Sequence, residues 1–188
     1  EYSKVKLPSI KIAITGGGRV SKGVMEVLLA MNIKMVSPAA FIERVFDVPV
    51  FCQLNTRDYC KHKSGESFVR SSFYSSPEDY KGDFLKYAQV ADVLIAGAYW
   101  DPRAPVLFER EDVLKNNFKI RIIADITCDI QGSIPSTLRS CTIDEPIYDY
   151  NPSEDVVELP LTDEANITVM AVDNLPCELS RDASESFG

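Results

Sequence analysis

The sequence predicts an α/β fold: a mostly parallel, doubly wound sheet with helices packed on both faces. Three observations predict it. Short runs rich in β-branched residues recur along the chain, as IKIAIT (10–15), VLIA (93–96), IRIIA (120–124) and ITVMAV (167–172). Near-continuous apolar strands of this kind belong to sheets covered on both sides. Helix-spaced segments alternate with them. The first run passes through three successive glycines, Gly16, Gly17 and Gly18, straight into such a segment.

In chain order, residues 1–9 form a polar lead-in that carries Pro8, and 10–15 form the first strand. Val24, Val27, Leu28 and Met31 share one face of a helix that starts at Val20 or Ser21 and is closed by Asn32. Residues 33–36 read as a second strand ended by Pro38, Phe41 to Phe46 as a short helix, and 48–54 as a third strand. Residues 55–76 are a long irregular excursion. Ser76-Pro77-Glu78-Asp79 has the chemistry of a helix start, with Tyr80, Phe84, Tyr87 and Ala88 as the apolar face of the helix that follows. The strand at 93–96 is closed by Gly97, residues 108–114 read as a helix, and the strand at 120–124 ends at Asp125. After the strand at 167–172 the tail 175–187 turns and becomes helical.

The 188 residues suit a single domain, and 45% hydrophobic with 26% charged residues is ordinary for a globule. No apolar run reaches 18 residues, so no membrane segment is expected. A formal charge of −8 argues against nucleic acid as partner, because Lys and Arg carry that binding. The five cysteines are scattered and show no metal spacing, which points to free thiols in a reducing cytoplasm and to no metal site. The chain opens on Glu1 rather than Met and stops at Phe187-Gly188 within helix-like sequence. It is therefore expected to be one nucleotide domain, residues 1–188, of a longer two-domain protein.

The segment Gly16-Gly17-Gly18-Arg19-Val20-Ser21 sits between a strand and a helix, the setting of a dinucleotide-binding turn. Gly16 permits the tight turn, Gly18 lets backbone approach a diphosphate, and Ser21 is small enough for close helix–strand packing. The fold is thus Rossmann-like, with NAD or NADP as cofactor. Ser37 stands after the second strand, where an acid ordinarily binds the ribose 2′-hydroxyl, so NADP is as open as NAD. Arg19 or Arg44 is available to a 2′-phosphate. Asp125 and Asp173 flank strand ends and read equally as ligand-facing or as capping residues. Asp129, Asp144 and the lone His62 read as solvated surface groups. No nucleophile–base pair is visible, and no catalytic residue is assigned.

TGGGRVSKG (15–23), AYW (98–100), ADITCDIQGSI (124–134), CTIDEP (141–146) and VDNLPCELSRDASESFG (172–188) together resemble the lysine-ketoglutarate reductase/saccharopine dehydrogenase family. Alanine dehydrogenase and the transhydrogenase nucleotide domain share the wider architecture. The resemblance covers most of the chain and is weakest over 47–90. It implies NAD(P)-dependent hydride transfer at the C–N bond that joins lysine to 2-oxoglutarate, a 2-oxo acid. It further implies that Gly18 and Arg19 hold the diphosphate and that Tyr99 and Ile126 line the dinucleotide. Ser37 would replace the ribose-binding acid of the NAD-using fungal enzyme, and Val172, Asp173, Asn174 and Leu175 would flank the nicotinamide. The acid and base of the reaction belong, in that family, to a separate N-terminal domain. This chain alone is then expected to bind cofactor weakly and to catalyse nothing. An alanine-dehydrogenase-type enzyme and a non-catalytic NAD(P)-sensing module are the alternatives.

Overall fold

The structure is a computed structural model that describes residues 4–187; the first three residues of the polar lead-in lie outside them. In chain order the elements are β1 (Lys11–Thr15), α1 (Arg19–Ala30), β2 (Lys34–Met35), α2 (Pro38–Glu43), β3 (Val50–Leu54) and α3 (Thr56–Tyr59). Then come β4 (Cys60–His62), α4 (Arg70–Ser75), β5 (Tyr80–Gly82), α5 (Leu85–Ala88), β6 (Val93–Ala96), α6 (Arg110–Val113) and β7 (Ile122–Asp125). β8 (Ile147–Asn151), β9 (Val156–Glu158), β10 (Ile167–Met170) and α7 (Ser180–Phe187) complete the chain. Eight strands make one sheet in the order β2-β3-β1-β6-β7-β10-β8-β9. The first six run parallel, and β8 and β9 extend the sheet antiparallel. The expected α/β, mostly parallel sheet is present.

Alternation along the strands builds two cores, one on each face. Ile12 and Ile14 of β1 and Phe51 of β3 pack with Leu28 of α1 and with Ile33. Ala13, Cys52, Leu54, Leu94 and Ala96 point the other way, towards Phe41 of α2 and Tyr87 and Ala88 of α5. α1 stops where the sequence says it should. Asn32 takes a left-handed conformation at φ 61°, and the Ile33 amide bonds back to Leu28 O at 3.0 Å. That closure satisfies carbonyls a helix end would otherwise leave bare.

Three segments depart from the sequence reading. The helix expected from Pro77 is broken into a 3₁₀ turn (Pro77–Asp79), strand β5 and the short α5. Tyr80 pairs with His62 across the β4–β5 ribbon, and its ring packs against Phe68 and Phe73. Its hydroxyl donates to Val69 O at 3.1 Å. Burial of this aromatic cluster outweighs the local capping signal. The second helix runs over Pro38–Glu43 instead of 41–46, because Ser37 caps it through a bond from the Ala40 amide at 3.3 Å. Strands β8 and β9 were not anticipated. β8 carries Asp149 between Tyr148 and Tyr150, and all three are buried. The acid is satisfied by Thr168 Oγ1 at 2.8 Å and the Thr162 amide at 3.3 Å.

Phe51 is fully buried and stands on the face that α1 covers. Phe51→Ala should lower unfolding stability by about 3–5 kcal/mol, the usual loss for a buried Phe. Urea denaturation checks it.

Candidate functional site

The site grows from the end of β1. Gly16 has φ +107°, a region that L side chains rarely adopt. A Cβ there would lie 2.8 Å from Ser21 Oγ and 3.0 Å from Gly97 O. Ser21 is buried, and its hydroxyl donates to Thr15 O at 3.0 Å, which fastens the first turn of α1 to β1. The Gly97 amide also donates to Thr15 O, at 3.2 Å. β1 and β6 are neighbours, while the chain has already crossed to β2 and β3 on the other side of β1. The glycine turn therefore sits at the point where the winding reverses, the place where open α/β sheets bind ligands.

Around Gly18 the space is open. A Cβ there would meet nothing within 4 Å, and its extended backbone (φ −86°, ψ −168°) suits any residue. α1 has no side-chain cap, and its first intrahelical bond runs from the Lys22 amide to Gly18 O at 3.2 Å. The preceding first-turn amides thus face outwards beside an open cradle, the arrangement that accepts a diphosphate. These residues fit a dinucleotide. Gly17, Gly18, Arg19 and Val20 are exposed on this rim.

The strand order decides which residue follows the strand beside β1. β3, not β2, lies beside β1. Ser37, at the end of β2, is one strand further out and is occupied as the cap of α2. The residue that follows the neighbouring strand is Asn55. Its Oδ1 would lie 2.8 Å from a Cβ on Gly17, so its side chain reaches the turn. Its amide is held by Asp58 Oδ2 at 2.7 Å, and its side chain, like that of Ser37, caps the helix that follows, here α3, in a capping box with Asp58. Gln53 supports the turn from below, donating from Nε2 to Gly16 O at 3.0 Å. Exposed Arg57 follows Asn55 by two residues. The sequence reading looked only after the second strand, at Ser37, and did not single out Asn55, which follows the strand that pairs with β1.

Beyond β6 the AYW loop is braced. Asp101 accepts from the Arg103 amide (2.9 Å), Nε (3.1 Å) and Nη2 (2.9 Å), and these bonds hold its carboxyl below the ordinary range. Arg103 also donates to Ser75 O at 3.4 Å, which ties the loop to α4. Trp100 Nε1 donates to Ala104 O at 3.2 Å. Tyr99 is left 86% exposed on the same edge.

Beyond β7 the carboxylate of Asp125 is fully buried. It accepts from Thr127 N (3.1 Å), Thr127 Oγ1 (2.6 Å), Cys128 N (3.3 Å) and Thr137 Oγ1 (2.7 Å). Of its two readings the bonds favour the capping one: the buried side chain is engaged by its own loop and by Thr137. Ile126, half-buried, follows it, with its amide on Ala96 O at 3.0 Å. Burial and the charge of Asp125 push the Cys128 thiol up to about 11. Past β10, Val172 has its side chain in the core, whereas Asp173 and Asn174 are exposed and Leu175 is half-buried.

All these segments follow C-terminal ends of parallel strands, so the glycine turn, Asn55, Tyr99, Ile126 and 172–175 share one edge. His62 is elsewhere, half-buried and edge-on to Tyr80 with its Nδ1 2.6 Å from Ser64 Oγ. Asp129 and Asp144 are exposed. All five cysteines are free thiols. Among the described residues no group of three or more His, Cys, Asp or Glu side chains is placed to hold a metal ion. No helix among them is long and apolar enough to cross a membrane.

No family model matches the chain. It is similar to the alpha-aminoadipic semialdehyde synthase of Arabidopsis thaliana, 32% identical over 195 residues, which is 93% of this chain and 18% of that protein. The mitochondrial alpha-aminoadipic semialdehyde synthases of Rattus norvegicus and Mus musculus are each 25% identical over 205 residues, 95% of this chain and 22% of theirs. The chain thus spans about a fifth of the length of these curated relatives. Because the rat and mouse proteins are named as mitochondrial, they lend no support to a cytoplasmic location.

The turn separates two substitutions that look alike on paper. Gly16→Ala should cost about 1–3 kcal/mol of stability, from positive φ and the clash with Ser21 and Gly97. Gly18→Ala should leave stability within about 0.5 kcal/mol, as its Cβ meets only open space. Paired urea titrations check both.

Proposed function

We propose that the chain, a member by similarity of the alpha-aminoadipic semialdehyde synthase (lysine-ketoglutarate reductase/saccharopine dehydrogenase) family, is the NAD(P)-binding domain of a longer oxidoreductase of that kind. The observation that carries the reading is the glycine turn at the β1–β6 reversal, with Ser21 fastened to Thr15 and an open cradle at Gly18. Gly16 to Ser21 hold the diphosphate, Tyr99 and Ile126 line the dinucleotide, and Val172 to Leu175 flank the nicotinamide.

The cofactor supplies a hydride donor or acceptor, here at the C–N bond that joins lysine to 2-oxoglutarate in saccharopine. This chain's residues position it. First-turn amides of α1 meet the diphosphate charge. At the ribose corner we replace Ser37 with Asn55. An uncharged Asn55 with Arg57 two residues on favours a 2′-phosphate, which an acid there would repel. The acid and base of the reaction come from another part of the longer polypeptide, since a proton donor must lie within hydrogen-bond reach of its target. Five free thiols are in keeping with a reducing compartment.

Calorimetric titration of the chain with NADPH and NADH tests the reading. NADPH should bind about tenfold or more tightly, the worth of one charged hydrogen bond. Arg57→Ala should erase that preference, and Gly18→Ala should weaken both cofactors while leaving the fold intact. Absence of binding by either cofactor at millimolar concentration would sink the proposal. The full-length protein should oxidise the reduced cofactor with lysine plus 2-oxoglutarate and not with pyruvate plus ammonia. The reverse would make it an alanine-dehydrogenase-type enzyme.

A further inference from the structure

The end of β7 carries Ile126, proposed to line the dinucleotide, the end of β10 carries residues 172–175, proposed to flank the nicotinamide, and residues 133–141 run between them. This stretch is fixed at three points. Thr137 Oγ1 donates to the buried carboxylate of Asp125 at 2.7 Å, at the β7 end. The Cys141 amide donates to Ala171 O at 2.7 Å, and Cys141 bridges to Val172, at the β10 end. Between them, the hydroxyl of Tyr148 accepts from the Leu138 amide at 2.9 Å and donates to Ser136 O at 2.8 Å.

Tyr148 reaches this stretch from β8, the antiparallel extension. It is fully buried, as are Ser136 and Thr137. Burial pushes its phenol up to about 12, so the proton needed for the bond to Ser136 stays in place at neutral pH. The Arg139 guanidinium lies 4.9 Å above its ring. Without the hydroxyl, the part-buried Leu138 amide and the buried Ser136 carbonyl lose a shared partner and keep only their mutual bond at 3.1 Å. The middle of the strut would then be free to shift, and both strand ends with it.

We propose that Tyr148 is a positioning residue for the nicotinamide half of the cleft: through residues 133–141 its hydroxyl sets the spacing between Ile126 and the Val172–Leu175 loop. The proposal rests on the dinucleotide reading above. It gives the β8–β9 extension a part in binding although none of its residues lies on the ligand edge. The adenosine half, built on β1, β3 and β6, is outside the strut's reach.

Tyr148→Phe removes only the hydroxyl. The test compares the dissociation constants of NADPH and of adenosine 2′,5′-bisphosphate, which lacks the nicotinamide half, on the parent chain and the variant. NADPH should weaken about five- to tenfold, the loss of a buried hydrogen bond, while the bisphosphate changes by less than about twofold. Equal weakening of both ligands would reveal a general loss of fold and overturn the proposal, as would no change in either. Thr137→Val, which cuts the strut at its Asp125 end, should give the same split; if it does not, the strut is refuted even where Tyr148→Phe fails to fold. A parent chain that binds neither ligand overturns the dinucleotide reading itself. One that binds both, with variants that show no split, overturns only the strut.

Discussion

At the junction of β1 and α1, three backbone segments and one hydroxyl occupy a space with no room for an added methyl group. Gly16, Ser21 and Gly97 lie so close that a Cβ on either glycine would stand 2.8–3.2 Å from polar atoms of its neighbours. The Ser21 hydroxyl makes this crowding favourable by bonding Thr15 O, which also receives the Gly97 amide. The contact brings the first turn of α1 down onto the sheet and aligns its outward amides with the gap between β1 and β6. Arg19, Val20 and the open cradle at Gly18 take their position from it.

The other half of the edge is held differently. At β1 the chain relies on small residues and close backbone approach. At β7 and β10 it relies on a buried polar chain that runs from Asp125 through Thr137 to Tyr148. The Asp125 carboxylate oxygens and the Tyr148 hydroxyl in that chain are partnered, and partnered buried polar groups rigidify rather than destabilise, whereas the buried Ser136 Oγ beside them has no hydrogen-bond partner. The aromatic ribbon of β4, β5 and α4 braces the third side by way of Arg103, whose guanidinium links the Tyr99 loop to Ser75 O. Those contacts are largely exposed, so they guide that loop more weakly than burial guides the other two.

Much of the fold was legible because strand runs such as IKIAIT and VLIA are short, β-branched and bounded by Gly or Asp. The glycine turn was legible for the same reason, since strand, turn and helix follow one another without interruption. The antiparallel extension was missed where Asp149 interrupts an apolar pattern. Only the three-dimensional partners Thr168 and Thr162 make that acid acceptable in a buried strand. The period of two in Ile147-Tyr148-Asp149-Tyr150 was the available signal. The helix at 77–88 was over-read, as Ser76 and Pro77 carry a good local start that the packing of Tyr80 overrules. Asp125 could not be assigned from sequence, because capping and ligand contact demand the same residue at the same strand end.

Under the dinucleotide reading proposed above, the exchange of β2 and β3 in the sheet has a practical consequence for any attempt to change nucleotide preference. Design by sequence position would edit the residue after the second strand, Ser37. Neighbouring strands are about 4.8 Å apart, so that edit would fall a full strand's width away from the proposed ribose position and would unseat the start of α2. On that reading the specificity code lies eighteen residues later, in Asn55-Thr56-Arg57, at the threshold of the aromatic ribbon. Alterations in that ribbon, which looks like a peripheral insertion, therefore stand to retune cofactor choice without any change to the glycine turn.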